Sequence, residues 1–105
     1  MVDRYYNHVS HTMLLQSTVA LAKFVREHDG VQLPVLEEIV ASLAANDVRS
    51  AFKRFKSIHF GAYGFTDWFP PVKYPHEDAD YVQVVFESLA ERWARLMRTA
   101  SGESN

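Results

Sequence analysis

The chain has 105 residues, of which 48% are hydrophobic and 23% charged, and its formal net charge is −2. Such a composition is typical of one globular domain with a single core, and the charge gives no indication of a polyanion as partner. The absence of cysteine excludes disulfides, thiolate metal sites and a cysteine nucleophile. Because no signal-peptide pattern and no apolar run of about 20 residues is present, we expect a cytoplasmic protein of bacterial type without membrane contact.

The first quarter of the chain carries apolar residues at helical spacing, which predicts a helix over residues 3–28. Asp3 is a candidate N-cap for this helix. The apolar pattern weakens at residues 16–18, so a start near Ser10 is an open alternative. Gly30 follows the last apolar turn, as is typical of a helix end.

Three further amphipathic segments predict helices over residues 34–45, 47–59 and 78–99. Asn46 is the expected N-cap of the third helix. The fourth helix is acidic at its start and rich in arginine at its end, an order that the helix dipole favours. With no competing strand pattern, the prediction is one all-α domain over residues 1–105, either a four-helix bundle or an irregular helical variant.

The link between the third and fourth predicted helices is a long loop, residues 60–77, with the sequence FGAYGFTDWFPPVKYPHE. Its prolines prevent regular helix, and its length exceeds the about 2–8 residues usual between helices. The aromatic residues could fold inward as a lid over one end of the bundle, and burial is expected for Phe60, Phe65, Trp68 and Phe69. Alternatively, some of them stay outside as a recognition surface. The candidates for interaction are Tyr63, Trp68, Lys73, Tyr74 and His76.

The segment FGAYGFTDWF at residues 60–69, followed by a long amphipathic helix, resembles small uncharacterised bacterial helical proteins with a G-x-x-G-x-x-D turn before the final helix. The resemblance covers the second half of the chain. It implies that Gly61 and Gly64 shape the backbone of the turn and that Asp67 accepts backbone amides. Because some such proteins resemble immunity or antitoxin-like partners, it also implies a protein partner. The double proline at Pro70 and Pro71 departs from the pattern.

The function that these features favour is a protein–protein interaction module, either with a distinct partner or as a homo-oligomer, that uses the 60–77 loop. One alternative is a metal-dependent enzyme or metal-binding bundle whose ligands lie at the ends of the third and fourth helices. Its candidate ligands are His59, Asp67, His76, Glu77, Asp78 and Asp80. Because their spacing matches no recognised motif, we predict no catalytic, cofactor-binding or metal-ligating residue.

Two smaller features leave other classes open. His8 and His11 would share a helix face within reach of one metal ion, but two solvated or partly packed side chains is the better interpretation. The third helix carries a basic face, which could contact nucleic acid; it comprises Arg49, Lys53, Arg54 and Lys56. A solvated face fits the slightly acidic chain better.

Overall fold

The structure, a computed structural model, describes residues 3–102. A short hairpin of β1 (Tyr5–Tyr6) and β2 (Val9–Ser10) precedes four helices, α1 (His11–Glu27), α2 (Leu33–Ala44), α3 (Val48–Lys56) and α4 (Ala79–Ser101). The mainly helical class predicted from the sequence is confirmed, with a small two-stranded sheet in addition. None of the described helices combines the length and apolarity that crossing a membrane requires.

Helix α1 begins at His11 and not near residue 3, because the preceding segment forms the hairpin. Asn7 and His8, between the two strands, both have positive φ, 50° and 71°, as a two-residue type I′ turn requires. Ser10 is the N-cap, and its hydroxyl accepts the amide of Met13 at 3.0 Å. The alternative start near Ser10 is therefore confirmed. His8 lies in the turn and does not share a helix face with His11.

The hairpin is attached to the ends of two helices. The His11 Nε2 atom lies 2.7 Å from the Leu43 carbonyl at the end of α2, and its Nδ1 lies 3.1 Å from the Tyr6 hydroxyl. Because the carbonyl can only accept, Nε2 carries the proton and Nδ1 accepts from the hydroxyl. Asn7 donates its side-chain amide to the Ala100 carbonyl of α4 at 3.1 Å.

Helix α3 is shorter than predicted and has a different cap. The prediction of Asn46 as N-cap is wrong: Asp47 caps the helix, and its carboxylate accepts the Ser50 amide at 3.2 Å and the Ser50 hydroxyl at 2.7 Å. These bonds lower the pKa of Asp47. Asn46 instead has a φ of 61° and lies just after α2, where asparagine takes the left-handed backbone at low cost. Helix α3 ends at Lys56 and not near residue 59.

The core lies between α1 and its two neighbours, α2 and α4. Its largest side chain is Trp93 of α4, whose ring stacks on Phe65 at 5.4 Å and meets the edge of Phe55 at 5.2 Å between ring centres. Phe65 comes from the loop between α3 and α4, so the loop completes the core. Trp93 Nε1 donates to the Thr18 hydroxyl at 2.9 Å, and Thr18 donates to the Leu14 carbonyl at 2.7 Å. The fully buried indole N–H of Trp93 on α4 therefore has its hydrogen-bond acceptor on α1.

Replacing Thr18 with valine keeps the shape of the side chain but leaves the buried Trp93 N–H without an acceptor. We expect Thr18→Val to lower the free energy of unfolding by about 1–3 kcal/mol, as measured by urea denaturation. The matched control is Thr99→Val on the exposed side of α4, which should change it little. Equal stability of both variants would contradict the role of this hydrogen bond.

Candidate functional site

The loop between α3 and α4 is held by the turn between α1 and α2, residues 28–32. The two segments touch at four points, in opposite chain order: His28 with Glu77, Asp29 with Lys73, Gly30 with Trp68, and Gln32 with Phe65. The helices on both sides of the turn are packed in the core. These four contacts therefore fix the position of the loop relative to the helices.

The first part of the loop is a compact glycine turn, residues 59–67. The Phe65 amide donates to the His59 carbonyl at 2.7 Å, and the Gly64 amide donates to the Gly61 carbonyl at 2.8 Å. A Cβ atom on Gly64 would lie 2.4 Å from the His59 carbonyl oxygen, so no larger residue fits. Neither glycine has a positive φ. At Gly64 the requirement is close backbone approach rather than an unusual backbone angle.

The left-handed residue of the glycine turn is Tyr63, with a φ of 62°. Its amide donates to the Asp67 carboxylate at 2.8 Å. The Tyr63 side chain contributes nothing to the core, since it is 96% exposed. Thus Asp67 holds the turn together, while the tyrosine points into solvent.

The middle of the loop sends some aromatic residues inward and one outward. Phe65 is buried, and the half-buried Trp68 lies edge-on to Phe86 of α4 with 4.9 Å between ring centres. Phe60 lies partly buried against Phe65, at 5.6 Å. The expected burial of Phe69 is wrong, because this side chain is 80% exposed. Since its neighbour Pro70 is buried, the chain at this point is anchored by the proline and not by the phenylalanine.

The last part of the loop is a second turn, residues 73–77, organised by one carboxylate. Glu77 Oε1 accepts the amides of Lys73 and Tyr74 at 3.0 and 3.1 Å, and Oε2 lies 2.8 Å from His28 Nε2. The side chains of Glu77 and His28 are only 3% and 2% exposed. Burial raises the pKa of Glu77, but the three donors outweigh it, so the pKa lies below the ordinary value of 4.5.

His28 is buried between α1 and the second turn. Its ring stacks on Phe24 at 4.1 Å, and its Nδ1 lies 2.8 Å from the Phe24 carbonyl. Both ring nitrogens thus face acceptor oxygens. Only the doubly protonated ring donates to both of them, which makes the contact with Glu77 a buried ion pair.

An open pocket of about 240 Å³ lies beside this ion pair, between the end of α1 and the start of α4. We call it the aromatic pocket. Around it, Tyr74 and His76 lie with parallel rings 6.2 Å apart, and the His76 ring meets Tyr81 at 5.7 Å and 81°. The lining residues are Phe24, Glu27, His28, Tyr74, His76, Glu77, Tyr81 and Val85.

The candidates predicted from the sequence are distributed over four places. Tyr74 and His76 line the aromatic pocket, whereas Tyr63 lies in the glycine turn. Trp68 packs against the core, and Lys73 pairs with Asp29, which raises the pKa of the lysine. Sequence reasoning missed five pocket residues: Phe24, Glu27, His28, Tyr81 and Val85. Tyr81 had a usable signal, since a tyrosine in the first turn of an amphipathic helix can leave its ring at the edge of the core.

The basic face of α3 remains exposed. Arg54 pairs with Glu38 at 2.7 Å. Arg49, Lys53 and Lys56 follow one another at helical spacing and form no ion pair with any of the residues 3–102. They border a shallow groove of about 480 Å³ that also contains Val48 and Phe52.

Among residues 3–102, no group of three or more histidine and carboxylate side chains is placed to hold a metal ion. His59 in particular bonds to the Ala62 carbonyl within the glycine turn, at 3.1 Å, while His76 and Glu77 lie in the second turn. The set proposed from the sequence is therefore not gathered at one point.

No protein-family model, curated protein or solved structure matches this chain. The geometry of the loop and of the aromatic pocket therefore carries the functional argument.

The two glycines of the first turn should respond differently to a methyl group. Gly64→Ala places Cβ against the His59 carbonyl, which cannot move without opening the turn, and we expect a loss of about 1–3 kcal/mol in unfolding free energy. Gly61→Ala is the matched control, since its Cβ would meet only the rotatable His59 ring at 2.9 Å. Thermal or urea unfolding checks this, and a larger loss for Gly61→Ala would contradict it.

The lowered pKa of Glu77 makes part of the stability pH-dependent. A carboxylate with a depressed pKa stabilises the folded state above its unfolded value of about 4.5, and this contribution disappears as the pH falls through the folded value. Glu77→Gln should therefore be less stable than wild type at pH 6, and the difference should shrink towards pH 2.5 in urea titrations. Glu91→Gln, at an exposed position, is the control. A difference that stays constant with pH would show that the charge of Glu77 has no role.

Proposed function

We propose that this protein binds another protein, a distinct partner or a second copy, through the outer face of the 60–77 loop. One observation carries the proposal: Tyr63 is 96% exposed on a turn whose backbone is held in the left-handed region. The side chain gives nothing to the core. A large aromatic side chain presented to water from a backbone that is held in place is what a binding surface uses.

The residue type at Tyr63 is unusual for its backbone. Five non-glycine residues among residues 3–102 have positive φ, and the other four are Asn7, His8, Asp29 and Asn46. Those are the residue types that take this conformation most readily, whereas for a bulky side chain it is an outlier. Such strain costs on the order of 1–3 kcal/mol and concentrates at functional sites. Asparagine or glycine would serve the fold better, which supports a role for the tyrosine in contact.

Phe69 extends the proposed surface. It is 80% exposed and is followed by two prolines, the first of them buried. Because the prolines and the half-buried Trp68 side chain restrict the backbone on both sides, little conformational freedom is lost when Phe69 meets a partner. In this proposal Trp68 and Lys73 hold the loop in place, and Tyr63 and Phe69 make the contact.

The test compares Tyr63→Asn and Phe69→Ser with wild type. We expect Tyr63→Asn to leave the unfolding free energy unchanged or to raise it by up to about 1 kcal/mol, because the backbone strain is relieved. Both variants should lose association by at least about tenfold, the effect of one aromatic contact residue. Light scattering after gel filtration measures self-association, and quantitative mass spectrometry of material captured from the source cells measures a distinct partner.

Tyr5→Asn is the matched control, since Tyr5 is an exposed tyrosine of the hairpin. Its association should equal that of wild type. Association that survives both loop substitutions, or that falls equally with Tyr5→Asn, would contradict the proposal. Unfolding of Tyr63→Asn would also contradict it, because the tyrosine would then serve the fold.

A further inference from the structure

We infer that the aromatic pocket binds an organic cation, an ammonium or guanidinium group. The group could belong to a free small molecule or to a side chain of a bound protein. The inference goes beyond the proposed contact at Tyr63 and Phe69 and does not depend on it, since the pocket is formed by the second turn together with α1 and α4.

The walls of the pocket are suited to a cation. Tyr74 and Tyr81 line the pocket and are 41% and 45% exposed, so both residues are open to solvent beside it. An aromatic face carries partial negative charge and attracts a cation that lies within about 6 Å of the ring centre. The His76 ring lies next to the rings of both Tyr74 and Tyr81. This row of three rings orders one wall of the pocket before a ligand binds.

The electrostatics of the pocket also select a cation. The charge of Glu77 is balanced by the His28 ring, whereas Glu27 forms no ion pair with any of the residues 3–102. Glu27 is also the last residue of α1, and the C-terminal end of a helix carries partial negative charge. On the α4 side, Asp78 caps the helix and Asp80 lies in its first turn. Lys73 is paired with Asp29, and Lys23 lies one helical turn before Glu27 in α1 without forming an ion pair with it. Of the two carboxylates that line the pocket, Glu27 is therefore the one that remains for a cationic ligand.

The size and the polar groups of the pocket narrow the class of ligand. A volume of about 240 Å³ is smaller than the roughly 300–1,000 Å³ of pockets for drug-sized molecules, so it suits one small head group. The Glu77 oxygens already accept from Lys73, Tyr74 and His28. What remains for a ligand is aromatic ring surface, the His76 ring nitrogens and the Glu27 carboxylate. The ring surface and the carboxylate together recognise an alkylated ammonium or a guanidinium.

The experiment is a titration of the full chain, followed by the NMR shifts of the Val85 methyl groups and of the Tyr74 and Tyr81 rings. The probes are tetramethylammonium chloride and N-acetyl-arginine amide, with sodium acetate at equal ionic strength as the anionic control. We expect saturable shifts with a Kd of about 1–10 mM for at least one cation, as a few weak contacts provide. Tighter binding of the arginine derivative indicates a partner side chain, and tighter binding of tetramethylammonium indicates a free quaternary amine.

Two variants test separately what the aromatic wall and the charge of Glu27 contribute to cation binding. Tyr81→Leu should weaken cation binding by about fivefold through loss of one ring face, and Glu27→Gln should weaken it and reduce its dependence on salt. Tyr5→Leu, in the hairpin and remote from the pocket, should leave cation binding unchanged. The inference is overturned if neither cation gives saturable shifts, if acetate gives the same shifts, or if both pocket variants bind as wild type does. Because no protein partner is present, failure here leaves the proposed role of Tyr63 untouched.

Discussion

The buried pair of His28 and Glu77 is the contact on which the loop depends. The Glu77 carboxylate accepts two backbone amides of the second turn and faces the His28 ring at the end of α1, so it closes the turn and joins it to the helix at one point. Both side chains are almost completely buried, where an unpaired charge is strongly destabilising. The buried pair is therefore stable only when all of its hydrogen-bond partners are in place, which favours one arrangement of the turn over looser ones.

The rest of the loop is held by further contacts with successive residues of the turn between α1 and α2. Gly30 gives room for the Trp68 ring, and Gln32 donates to the Phe65 carbonyl at 2.9 Å. The loop thus behaves as part of the core along its inner side, although it has no regular secondary structure. The same contacts fix the backbone on the outer side of the loop, so the exposed Phe69 starts from a backbone anchored by the buried Pro70.

The sequence was sufficient for features that depend on local pattern and not for those that depend on distant partners. Helical periodicity predicted four helices and the irregular loop, since both signals lie within a few turns of chain. The hairpin was not predicted from the sequence, because its strands have two residues each and its turn uses Asn7 and His8 rather than Asn-Gly. The pair of His28 and Glu77 spans 49 positions, and only the packed helices bring its members together.

The strain at Tyr63 and the rigidity of its surroundings belong to the same arrangement. A left-handed tyrosine would relax to an ordinary backbone in a flexible loop, because nothing would oppose the change. Here the turn is overdetermined by the Asp67 carboxylate on the Tyr63 amide and by the bond from Phe65 to the His59 carbonyl. Phe65 in turn is fixed by its stack on Trp93. The buried anchors thus supply the stability that keeps the backbone of an exposed tyrosine in the unfavourable left-handed conformation.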